Sequence, residues 1–190
     1  SKNYVNELIN KFGFIEVHPY NDIEVIKGQG TIYLEMLNQL SEIDYLLVPV
    51  GGGGLLAGCS IINNTVSKKT KLIGVESKLY PSLYNIFYKK KIKCTGSTLA
   101  EGIAVKEIGS ISYNYIKDKI DSVITVSDTS IEQAIAMLAL TEKVVVEGAG
   151  AVGLAAIIEN QKKFKNKNVG IILCGGNIDS KIISSILMRD

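Results

Sequence analysis

Tyr45 to Val50 form an apolar run, and four consecutive glycines, Gly51 to Gly54, follow it directly. The run is short and rich in Leu and Val, the pattern of a buried strand in a parallel sheet. Without Cβ atoms the glycines let the backbone turn sharply and aim several N–H groups at one small anion. A helix starting near Leu55 would add its positive end to the same spot. The chemistry suggested is a phosphate cradle at the carboxyl end of a strand. The plainer alternative is a tight strand-to-helix turn that binds nothing. Two further glycine-rich segments have the same character, Glu147-Gly148-Ala149-Gly150-Ala151 and Cys174-Gly175-Gly176-Asn177. All three are expected to converge on one crevice.

Other chemistries are weaker. Gly52-x-Gly54-x-x-Ala57 fits a relaxed dinucleotide fingerprint, and Glu76 lies at a suitable distance to meet a ribose hydroxyl. That reading leaves residues 147–151 and 174–177 without a role. No Gly-Lys-Ser/Thr triplet supports a nucleotide P-loop. His18 is the only histidine and stands beside Pro19, which suits a structural hydrogen-bonder better than a base. Cys59, Cys94 and Cys174 fit no zinc spacing and suggest no disulfide framework, so a reduced cytoplasm is the expected setting. Cys174 also reads as a small apolar residue after a strand, and Glu147 as a carboxylate favoured by a helix start.

The positioning elements alternate between strands and helices. Residues 2–12 place Tyr4, Val5, Leu8, Ile9 and Phe12 on one helical face, with Gly13 ending the helix and a short strand over Phe14 to Val17. A turn at His18 to Asp22 precedes a helix opened by Gly28-Gln29-Gly30-Thr31 and capped by Thr31. Strands are expected at 45–50, 71–76, 122–126 and 169–173. Helices are expected at about 55–63, 79–91, from an Asp128 or Thr129 cap to 142, from 147–151 to 159, and at 179–188. This predicts an α/β fold with an open, mostly parallel twisted sheet and helices on both faces. The 190 residues, 46% of them hydrophobic, suffice for one core. Net charge is +2 and Arg189 is the only arginine, so a nucleic-acid partner is not expected. Lys89-Lys90-Lys91 reads as a solvated helix end. No apolar run reaches membrane-spanning length.

The sequence resembles one family in four ordered places. Val48 to Leu55 is similar to the phosphate loop of pyridoxal-phosphate enzymes of the threonine dehydratase and serine racemase group (fold type II). His18-Pro19-Tyr20 with Gly28-Gln29-Gly30-Thr31, then Val146 to Ala151, then Leu173 to Asp179, resemble that group in the same order. The four glycines and Tyr20 look more like threonine dehydratase. The resemblance implies that Gly51, Gly52, Gly53, Gly54 and the Leu55 amide hold the cofactor 5′-phosphate. It puts Cys174 beside the pyridine nitrogen, where the group usually has Ser, and Glu147 near cofactor and substrate. A thiol keeps a weak donor there and leaves the ring nitrogen largely unprotonated. Glu76 matches a metal-ligand position of the racemase branch, but Ser82 stands where an Asp is expected, so no metal is expected.

The resemblance also implies what is missing. The Ser-Phe-Lys-x-Arg-Gly motif, whose lysine holds the cofactor covalently and shuttles the substrate α-proton, has no counterpart. Nor does the Ser-x-Gly-Asn-His loop. Residues 1–190 are therefore expected to be a single α/β domain, the C-terminal portion of a short, catabolic-type threonine dehydratase that lacks the cofactor-capping small domain. The implied reaction is dehydration and deamination of L-threonine, with L-serine as a second substrate, to a 2-oxo acid and ammonia. A missing N-terminal half and a homo-oligomer are the implied partners. The chain alone would be inactive.

Overall fold

The computed structural model describes residues 2–40, 42–66 and 69–189. Four strands form one sheet: β1 (Tyr45–Pro49), β2 (Lys71–Ser77), β3 (Ser122–Val126) and β4 (Val169–Ile171). Their order is β3-β2-β1-β4 and every pair is parallel. Leu47 lies opposite Ile73 on one side and Ile171 on the other. The chain steps outward from β1 to β3 and then returns to the far side of β1. That return makes the β1–β4 boundary the topological switch point, where parallel sheets open a crevice at their carboxyl edge.

Helices cover both faces, as the alternating pattern predicts. On one side α2 (Ile23–Gln39), α3 (Gly54–Val66) and α5 (Ser110–Ile116) pack on Leu46, Val48, Leu72 and Val123. On the other, α6 (Asp128–Met137) and α7 (Gly148–Glu159) pack on Leu47, Ile73, Val75 and Val126, with Phe164 of α8 (Gln161–Phe164) and Ile186 of α9 (Ser180–Leu187). Neighbouring residues of one strand feed opposite cores, as the period of two requires.

Helix α2 starts earlier than Gly28 and Gly30 suggest. Asp22 caps it by accepting from the Glu24 and Val25 N–H groups at 2.8 and 3.2 Å. Gly30 lies inside the helix because a Cβ there would stand 2.7 Å from the Gly58 carbonyl oxygen of α3. The two glycines set a close helix crossing, and Thr31 only bonds back to the Gly28 carbonyl. Several ends also differ. Helix α4 covers only Ser82–Phe87, with Lys89 to Lys91 exposed just beyond it. Ser127, not Asp128, caps α6 by accepting from the Ser130 N–H. After Met137 that helix widens into a π-turn at Leu138–Glu142, and β4 stops at Ile171.

The largest departure is at the start of the chain. Helix α1 (Lys2–Phe12) ends at Gly13, whose φ is +67° and whose N–H bonds the Ile9 carbonyl. Residues 14–17 are not a strand: they run without a sheet partner. Among the described residues no helix is long and apolar enough to cross a membrane.

Candidate functional site

The glycine loop leaves β1 at the carboxyl edge, and α3 begins at Gly54. Gly53 has φ +93°, a conformation that favours glycine. Gly52 faces the ring of Tyr20, and a Cβ there would fall 2.2 Å from ring carbons. Packing alone therefore accounts for those two residue types. The N–H groups are a different matter. Val50 N–H bonds the Val75 carbonyl and Ala57 N–H bonds the Gly53 carbonyl. Between them, the N–H groups of Gly51, Gly52, Gly53, Gly54, Leu55 and Leu56 donate to no acceptor among the described residues. Such a row, at a helix start, fits an anionic group.

The turn before α2 braces this loop. His18 Nδ1 accepts from the Asn21 N–H at 3.0 Å and packs edge-on against Tyr20, the structural role expected of it. Ser112 donates to the Tyr20 carbonyl, and the Gly109 N–H bonds the Gly52 carbonyl at 3.0 Å.

The two other glycine-rich segments meet each other. Glu147 N–H bonds the Gly175 carbonyl at 3.0 Å, and Glu147 Oε2 accepts from the Asn177 N–H at 3.2 Å. The Glu147 side chain is seated between Gly102 and Gly175, where added Cβ atoms would come within 3.0 and 2.6 Å of it. The Cys174 thiol points at the Ala149 carbonyl, 3.7 Å away. Burial of the sulfur and the nearby Glu147 charge push its pKa up, so it remains a neutral thiol.

A cavity of about 620 Å³ opens here, and Thr98, Glu101, Gly102, Asp128, Glu147, Asn177 and Asp179 are among its lining residues. Residues 51–55 are not in its wall. The link is the segment 102–105: Gly102 backs Glu147, while Ile103 and Val105 pack on Gly51. The 51–55 loop and the 174–177 turn both lie at the carboxyl edge of adjacent strands, β1 and β4. Thr98 donates to Asp128 at 2.6 Å and contacts Ser77 at 3.1 Å, which ties the cavity wall to the end of β2. Asp128, expected only as a helix cap, enters the cavity wall, and Thr98, Glu101 and Gly102 join it there.

Glu76 has neither the ribose nor the metal environment. Its Oε1 and Oε2 accept from the Leu83 and Tyr84 N–H groups of α4, each at 2.8 Å, and the residue is buried. Among the described residues no cluster of three or more His, Cys, Asp or Glu side chains could hold a metal. Cys59 is buried in α3, which pushes its thiol up to about 12.

A family model described as pyridoxal-phosphate-dependent enzyme matches residues 1–175. The chain is 41% identical over 181 residues to the L-threonine ammonia-lyase of Thermotoga maritima, covering 94% of this chain and 45% of that one. It is 37% identical over 189 residues to the catabolic L-threonine dehydratase TdcB of Staphylococcus aureus, covering 97% and 55%. The solved structure of processed threonine deaminase isoform 2 from Solanum lycopersicum superposes with a TM-score of 0.89 at 32% identity, covering 98% of this chain and 52% of that one. The chain thus spans about half the length of the curated relatives it matches. A parallel sheet whose switch point carries the free N–H row, and a family match over most of the sequence, agree: this chain belongs to the family of pyridoxal-phosphate-dependent enzymes and has their fold type II α/β architecture.

Proposed function

We propose that this chain is the cofactor-phosphate half of a lyase that dehydrates and deaminates L-threonine, and L-serine, to a 2-oxo acid and ammonia. The names of its relatives, an L-threonine ammonia-lyase and a catabolic L-threonine dehydratase, support the substrate. In this reading the N–H groups of Gly51 to Leu55 receive the phosphate oxygens, with the start of α3 adding its positive end. The Cys174 thiol faces the ring nitrogen as a weak, uncharged donor. Glu147 stands at the substrate side, its carboxylate fixed by the Asn177 N–H. When bound, the cofactor supplies the electron sink for charge developing at the substrate α-carbon. The lysine that moves the α-proton belongs to the portion of the catalytic unit that this chain does not span.

The row of unpartnered N–H groups after β1 carries the reading. Equilibrium dialysis and phosphorus NMR of the 190-residue chain test it. The expected result is weak binding of pyridoxal phosphate that inorganic phosphate displaces, abolished in Gly53→Ala, with no borohydride-stable adduct on any lysine of the chain. Binding of NAD with no response to pyridoxal phosphate would favour the dinucleotide reading. Binding of neither, in a chain with intact circular dichroism, would leave a purely structural half.

A further inference from the structure

Positive charge is gathered in two segments. From Ser77 to Ala100 the sequence holds five lysines and no Asp or Glu; from Asn160 to Ile178 it holds four lysines and again no acid. The whole chain carries only +2, so the remainder is acidic overall. The fold brings the two segments to one place, the free edge of the sheet at β3, which pairs with β2 alone. The Tyr88 hydroxyl accepts from the Val123 N–H at 3.3 Å, and Lys163 donates to the Ser122 hydroxyl at 3.4 Å. Tyr84 packs in the core on one face of the sheet and Phe164 in the core on the other, so the segments flank that edge from both sides. The turn after α4 is fixed in shape. Asn85 holds both main-chain groups of Ile92, at 2.7 and 3.0 Å, its own carbonyl accepts from the Lys90 N–H at 2.8 Å, and Lys89 takes φ +53°. All of residues 86–93 are exposed, with Ile86 at 45%, Phe87 at 38% and Ile92 at 48%. None of the lysines at 89–93 or 162–167 makes an ion pair among the described residues.

We propose that this basic edge docks on an anionic lipid surface, with the lysines of both segments at the headgroups and Ile86, Phe87 and Ile92 entering the interface between them. Simpler reasons for the lysines fall short. Helix α4 has no basic residue in its last turn, so its dipole does not account for the run. Lysines beside an edge strand deter pairing with other chains, but that leaves the bulky apolar side chains among them unexplained. Three features choose a lipid surface over nucleic acid or an acidic protein. Every cation in the two segments is a lysine, a hydrated point charge suited to a diffuse anionic surface and without the fork of arginine. Eight exposed residues in a row make a projecting turn rather than a groove for a peptide. Apolar side chains interleaved with basic ones are the pattern of segments that lie in a membrane interface. The proposal does not depend on the lyase reading.

The test is co-sedimentation of the 190-residue chain with vesicles of phosphatidylcholine, with and without phosphatidylserine. Binding to the phosphatidylserine vesicles is expected to be tighter by roughly tenfold or more at about 0.1 M salt, and to vanish at about 1 M, where screening reaches about 3 Å. Lys90→Ser combined with Lys91→Ser should weaken it about 25-fold, roughly fivefold per lysine, and Lys162→Ser with Lys165→Ser by a similar factor, with melting temperatures unchanged. Lys11→Ser with Lys27→Ser removes the same charge elsewhere and should change little. The chain has no tryptophan, so emission from Phe87→Trp reports insertion and should shift to the blue on the anionic vesicles. Equal or absent binding to the two kinds of vesicle, an equal loss in the control pair, or an unshifted emission would each overturn the proposal. So would tighter binding to poly-glutamate or duplex DNA than to the vesicles. Pyridoxal phosphate binding at residues 51–55 is measured on the same variants and should be the same in all of them, so either inference can fail while the other stands.

Discussion

Glu76 and Glu159 each accept main-chain N–H at the start of a helix, Glu76 from several residues and Glu159 from Ser127 alone, yet their acidities move in opposite directions. Glu76, next to last in β2, is buried, and removal from water dominates: its pKa is raised to about 7 although the Leu83, Tyr84 and Ser82 N–H groups pull it down. Glu159 closes α7 near the surface. Partial burial raises it, but the Ser127 N–H and hydroxyl, Lys78 and the Ser130 hydroxyl together outweigh that and bring it to about 2. One region holds its helix with a carboxylate that burial makes reluctant to ionise; the other uses one held firmly ionised by a cation and hydroxyls. The number of donors decides less than the solvent each carboxylate gave up. The site regions inherit the difference: Glu76 fixes α4 beside Ser82, which bonds the Val105 carbonyl of the segment under Gly51. Glu159 fixes the start of α6, where Asp128 enters the cavity wall.

The largest effect is expected at Glu76. Glu76→Ala leaves two N–H groups without their acceptor in a buried site and should cost about 3 kcal/mol by urea unfolding at pH 6. Its pH dependence has a definite sign. The folded pKa of about 7 lies above the usual 4.5, so the contribution is fully present below 4.5 and is lost as pH rises through 7. Between pH 5 and 7.5 the chain should lose roughly 2 kcal/mol from this group alone. Glu76→Gln should flatten that slope. An unchanged slope in the variant would mean that Glu76 is ionised throughout and that the contrast with Glu159 is false.

The elements of this fold were legible where local pattern and long-range packing agree. The runs at 45–49, 71–77 and 122–126 are apolar on both faces and became strands, and the glycine loop followed. Gly30 misled because its reason is Gly58, on another helix, while a Cβ at Gly28 would meet open space. Glu76 misled because its partners lie on a helix seven and eight residues onward, and a carboxylate at a strand end looks the same whether it meets a ribose or two N–H groups. Residues 14–17 have the composition of a strand, but a strand needs a neighbour, and this chain provides none. At the site, the seating of Glu147 between Gly102 and Gly175 joins residues far apart in sequence. The glycine-rich segments suggested that Glu147 and Cys174 share a crevice, but spacing alone could not show which atoms meet there.

A smaller effect is expected on the other side of the comparison. Glu159→Ala removes the acceptor for the Ser127 N–H and two hydroxyls, while Ser127 still caps α6 through its own side chain. Discounted for solvent, the loss should be about 1–2 kcal/mol at pH 7. Here the folded pKa is depressed, so the stabilisation is present above 4.5 and fades as pH falls toward 2. Unfolding at pH 7 and pH 3 separates the two carboxylates: the gap between wild type and Glu159→Ala should narrow at the lower pH. A gap that stays constant would assign the loss to packing rather than to charge.

The smallest effect belongs to Lys78, whose ammonium lies 3.0 Å from Glu159 Oε2 with half of its side chain in water. Lys78→Met keeps the apolar stem and removes the charge. An exposed pair of this kind should be worth about 0.5 kcal/mol at low salt and less at 1 M, where screening reaches about 3 Å. The same substitution should raise the Glu159 pKa only slightly, because three of its four donors remain. Carboxylate titration by NMR distinguishes the contributions. A large rise on losing Lys78 would make the cation, rather than the hydroxyls and N–H at the start of α6, the group that separates Glu159 from Glu76.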